Sequence, residues 1–180
     1  MRTTIRKASL LIVAGMIFFA ACGGLFRENS QNLEEAAASR LAVPQLRDRV
    51  MDLAGILKDT ESADLRAKLK QLETDTTAQM AILIIPDLHG EVLEKYSLRV
   101  ARTWKLGRKD LNNGVLILVA MQDRALRIEI GTGLEAVLSD ERCKGIIDNE
   151  MIPLFKKGEY YQGLDKGVSA LIPFLDLQQR

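Results

Sequence analysis

Histidine occurs once in the 180 residues and cysteine twice. The single histidine, His89, follows an apolar run in "PDLHGE". It cannot supply a histidine-rich zinc site, and no Ser-His-Asp or Cys-His set can be built around it. It reads as a solvated loop residue. Charge of one sign is also missing. Lys and Arg number 25 against 24 Asp and Glu, a net of +1, so the chain lacks the basic footprint that nucleic acid asks for. The apolar or small-residue run 10–21 has 12 residues, too few for a bilayer span of about 20. No G-x-x-x-x-G-K-[ST] or full G-x-G-x-x-G phosphate loop occurs.

The short apolar run has a different use. Arg2, Arg6 and Lys7 precede it and "FAAC" closes it, the pattern of an export signal. The "FAAC" end is similar to a bacterial lipobox, which makes Cys22 the acylated first residue of a lipoprotein. Cleavage as an ordinary signal peptide is the alternative, and Phe19 is an unusual residue three places before the cysteine. The expected organisation is a signal peptide over 1–21, a tether over 22–42 and one domain over 43–177, facing the periplasm or extracytoplasmic side. Losing 1–21 removes three basic residues and no acidic ones, which moves the charge to −2. With Cys22 acylated, Cys143 is a lone thiol and no structural disulfide is expected. Arg142 and Lys144 beside it could lower its pKa; a small residue on a helix side is the alternative.

Within the domain, Asp59, Thr60 and Glu61 open a helix whose Leu65, Leu69 and Leu72 form one stripe. "MAILII" (80–85) and "GVLILVA" (114–120) read as strands buried on both faces. Between them Val92, Tyr96, Val100 and Trp104 recur every four residues on a helix that ends at Gly107. Tyr96 and Trp104 therefore read as core. "ALRIEI" (125–130) alternates, which suits a strand toward the sheet edge. Its four-residue link to 114–120 allows only an antiparallel hairpin, whereas the helical link between 80–85 and 114–120 makes that pair parallel. Two closing helices carry Ile147, Met151 and Leu154, then Leu164, Val168, Leu171 and Leu175. The fold class is α/β, a three-layer α/β/α sandwich with a mixed, mostly parallel sheet.

The corner "IEIGTGLE" (128–135) is where chemistry is sought. Glu129 and Glu135 flank its glycines and would repel a phosphate by on the order of 1–4 kcal/mol at about 4 Å. Antiparallel pairing brings this exit against the entry of 114–120, where Asp110, Asn112 and Asn113 lie. Carboxylates and amides without histidine or cysteine suit Ca²⁺ or Mg²⁺. The competing reading is a bend that needs glycine, a glutamate at a helix start and an ordinary Asn-Asn-Gly turn. Both stand on the sequence.

"VPQLRDRVMDLAGIL" (43–57), "WKLGRKDLNNGVLILV" (104–119), "RIEIGTGLEAVLSD" (127–140) and "IPLFKKGEYYQGLDKGV" (152–168) together resemble the TPM domain family, also called TPM phosphatases. The resemblance implies an α/β/α domain of the bacterial envelope or thylakoid lumen. It also implies divalent-metal binding, often calcium, and a part in assembly or repair of a membrane protein complex, with acid phosphatase activity in one thylakoid member. Carried over by position, Asp52 matches the family's acidic residue ahead of the first helix. Asn113, Gly114, Glu135 and Asp140 match as well. Asn112 stands where many members have Asp, which removes one negative charge from the implied site; Asp110 could compensate. The expected cation ligands are Asp52, Asp110, Asn112 and Glu135. If the protein is instead a metal-dependent acid phosphatase of phosphoester substrates, Asp52 is the catalytic residue. Many relatives have a C-terminal transmembrane helix and a glycine-rich tail, absent from "LIPFLDLQQR", so the lipid on Cys22 is the expected anchor. "FKKGEYYQG" (155–163) mixes basic and aromatic residues; a solvated loop is the first reading and a surface for partner contact the second.

Overall fold

The computed structural model describes residues 40–176, so the leader, Cys22 and most of the tether lie outside the described residues. Four strands form one sheet in the order β1 (Val50–Asp52), β2 (Gln79–Ile85), β3 (Gly114–Ala120), β4 (Ala125–Ile130). The first three are parallel, and β4 returns antiparallel beside β3 as the expected edge strand.

Pleat alternation sorts the two buried runs onto opposite faces. Met80, Ile82 and Ile84 of β2 join Val115, Ile117 and Val119 of β3 on one side. They pack there against Leu65, Leu69 and Leu72 of α1 (Asp59–Thr76) and Leu164, Val168, Leu171 and Leu175 of α5 (Tyr160–Asp176). Ala81, Leu83 and Ile85 join Leu116, Leu118 and Ala120 on the other side, under Tyr96, Val100 and Trp104 of α2 (Leu93–Trp104). Helices thus cover both faces, which is why both central strands read as unbroken apolar runs. Truncating a residue such as Ile82, fully buried between these layers, is expected to cost about 2–5 kcal/mol.

Three details depart from the sequence reading. Strand β1 is too short to carry a pattern and was not anticipated. Val92, the first member of the α2 stripe, precedes the helix and is exposed. Residues 41 and 42, at the end of the expected tether, are also hydrogen-bonded to the domain. The Leu41 N–H donates to Glu91, the Tyr96 hydroxyl to the Ala42 carbonyl, and the Trp104 indole N–H to the Pro44 carbonyl at 2.7 Å.

After β4 the chain turns through Thr132–Leu134 into α3 (Asp140–Ile146), capped by Ser139, whose hydroxyl accepts the Arg142 N–H. A π turn (Ile147–Met151) follows, then α4 (Ile152–Phe155). Pro153 has no N–H to offer the preceding turn, and the helix widens just before it. Among the described residues no helix is long and apolar enough to cross a membrane.

Candidate functional site

The glycine corner is built from backbone. Gly131 donates its N–H to the Gly114 carbonyl at 2.8 Å, and Gly133 donates to the Asn112 carbonyl at 3.1 Å. A Cβ on Gly131 would collide with that Asn112 carbonyl, and one on Gly133 with the Leu111 carbonyl. Glycine is needed because two main chains touch with no room for a side chain. Amides that would cradle an anion are already given to carbonyls.

Asn113, with no exposed surface, fastens the loop before β3. Its Oδ1 accepts the Arg108 N–H at 2.9 Å, and its Nδ2 donates to Thr77 at 3.3 Å. The Gln79 side chain accepts the Gly107 N–H and donates to Glu73. Asn112 has φ +47, a left-handed conformation that asparagine tolerates better than most residues. This accounts for an amide at the position on conformational grounds.

The four expected ligands do not all gather at this rim. Asp110 is exposed and engaged by Arg108 at 2.9 and 3.2 Å, and that hydrogen-bonded guanidinium lowers its pKa. Asn112 and Glu135 are exposed on the loops beside the corner. Asp52 stands at the opposite rim. It ends β1 in register with Ile84, whose β3 partner is Val119, whereas the corner meets β3 at Gly114. Five residues of strand separate the two levels, roughly 17 Å at about 3.3 Å per residue. Topology brings Asp110, Asn112 and Glu135 to one rim and puts Asp52 at the other. Among the described residues, no group of three or more His, Cys, Asp or Glu is placed to hold a metal.

A groove of about 1060 Å³ does form elsewhere, between the start of α2, strand β4 and the α3–α4 segment. Leu93, Met121, Leu126, Ile147, Phe155 and Tyr160 supply apolar surface to it. Its charges are partly paired: Lys144 with Asp148, and Arg127 with Glu129 at 2.7 Å. Arg127 also feels Asp140 and Glu94, and Arg124, just before β4, and Lys156 also line the groove. Phe155, Lys156 and Tyr160, which line this groove, belong to the mixed basic and aromatic run 155–163.

A family model described as the TPM domain matches residues 50–173. The chain belongs to the TPM domain family. A solved N-terminal domain of a P. gingivalis protein is 34% identical, with 71% of this chain and 82% of that one covered at a TM-score of 0.66. The BA42 protein of Bizionia argentinensis is 23% identical over 71% and 86% at 0.61. The N-terminal domain of cg2496 from Corynebacterium glutamicum is 13% identical over 74% and 85% at 0.57; these last two share the fold. No curated protein matches.

The remaining candidates fall into place on this TPM domain. Tyr96 and Trp104 are buried, as core. His89 is mostly exposed and its Nδ1 meets Asp87. Cys143 lines the groove but is only 4% exposed. Burial, reinforced by Asp140, pushes its thiol up to about 11, and Arg127 opposes this only in part. Flanking Arg142 and Lys144 therefore do not make it a thiolate, since desolvation outweighs them.

Proposed function

We propose that this TPM domain is a docking module, tethered to the bacterial envelope through acylated Cys22, that assists assembly, repair or maintenance of a membrane protein complex. The supporting observation is the groove beside β4, whose apolar surface is bounded by charged side chains. A groove of this kind suits a polypeptide segment better than a small polar substrate. The matching occupant is a segment of a partner protein with apolar residues at its centre. A basic residue would face Glu94 and Asp140, where three carboxylates surround one guanidinium, and an acidic residue would face Arg124 and Lys156. The basic, apolar and "FAAC" pattern of residues 2–22 supports such a location, since export and acylation at Cys22 would bring the module to the extracytoplasmic parts of membrane complexes.

The test is a photo-crosslinking residue at position 160 in cells, with the exposed position 70 of α1 as the control. A discrete membrane-protein adduct from 160 and none from 70 is expected. Equal labelling from both positions would remove the groove as the docking surface. The phosphoester reading has its own decisive result, hydrolysis of an aryl phosphate by clean protein that is lost in Asp52→Asn.

A further inference from the structure

The resemblance to TPM domains implies a divalent cation, and the residues carried over for it do not fit one here. Hard cations take six to eight oxygens, or a near-octahedral set including waters. Asp52 spends most of its acceptor capacity on its own loop. Oδ1 accepts the N–H groups of Ala54 at 3.1 Å and Gly55 at 2.8 Å, and Oδ2 accepts that of Leu57 at 2.8 Å. Three amide dipoles point their positive ends at this carboxylate and oppose a cation beside it. At the other rim Arg108 holds Asp110, and among the described residues no group of three or more His, Cys, Asp or Glu is placed to hold a metal.

We propose that in this chain Asp52 is the anionic staple of the loop after β1, doing with three amides what a cation would otherwise do for that charge. The domain then needs no divalent ion at Asp52, Asp110, Asn112 or Glu135. The loop it gathers, 53–58, delivers the chain to α1, where the Lys58 N–H donates to Glu61 at 2.9 Å. Gly55, at φ +67, supplies the turn that lets residues 54, 55 and 57 aim their amides at one side chain. Asp52 is thus a positioning residue for the β1–α1 connection.

The experiment compares the full chain in detergent micelles with its Asp52→Asn and Glu135→Gln variants, each in 2 mM EDTA (roughly) and in about 2 mM Ca²⁺ or Mg²⁺. Melting temperature and terbium luminescence are read together. An amide at 52 keeps one acceptor oxygen and loses the charge, so Asp52→Asn should melt on the order of 5 °C lower, by the same amount in EDTA and in Ca²⁺. Glu135→Gln should melt like the parent. A calcium-dependent rise that survives both substitutions assigns the ion to other residues and leaves the proposal standing. A rise or terbium signal lost in either variant overturns it, as does an Asp52→Asn protein that melts like the parent in EDTA.

Discussion

The glycine corner and the groove are two ends of one design problem, how to finish a sheet at β4. At the corner, backbone meets backbone, and main-chain hydrogen bonds hold the two loops together. Along the groove, side chains from α2, β4, α3 and α4 stand apart and leave a volume open. Glycines and asparagines make the first region closed and intolerant. Long apolar and charged side chains make the second adaptable. Residues that look chemically pointed, such as a Gly-x-Gly flanked by glutamates, can be wholly occupied with shape.

Substitution should separate the two regions sharply. Gly133→Ala drives a methyl into the Leu111 carbonyl, so a loss of about 3 kcal/mol or more, or no folded protein, is expected in urea unfolding. Asn113→Ala strands the Arg108 amide and the Thr77 hydroxyl. Unfolding free energy should drop by about 2–3 kcal/mol.

A pH titration asks whether the wall of the groove is as dry as the corner. The Cys143 thiol is raised from 9.0 to about 11 in the fold. Its contribution is complete below the unfolded pKa and is lost as pH rises through the folded one. Stability should therefore decline by roughly 2–3 kcal/mol between about pH 9 and 11, and this part of the decline should be absent in Cys143→Ala. The smallest effect belongs to the rim. Arg124→Glu with Lys156→Glu, both on exposed residues, should change stability by less than about 0.5 kcal/mol while weakening the crosslink from position 160.

The same contrast explains what the sequence could tell. Strands 80–85 and 114–120 were legible because burial on both faces leaves no polar residue to break the run, and β4 was legible because alternation marks a half-wet edge. The antiparallel hairpin followed from a link too short for anything else. Strand β1 escaped because three residues, Val50 to Asp52, carry no period, and without β1 nothing says at which rim Asp52 ends. Its assignment to the corner failed for that reason. The glycines announced a bend, yet the approach of Leu111 and Asn112 that makes them necessary is a tertiary fact. The groove was the least legible because its lining is drawn from separated segments, of which only 155–163 carried a local signal.

The claim that matters most is that the corner is sealed while the groove receives a partner. Hydrogen exchange on the protein in its native envelope, compared with the same protein purified in detergent, tests it directly. Added protection in the envelope should appear in peptides covering 121–128 and 152–160, with 107–114 and 131–135 unchanged. Added protection at 107–114 and 131–135 without change along the groove would contradict the account.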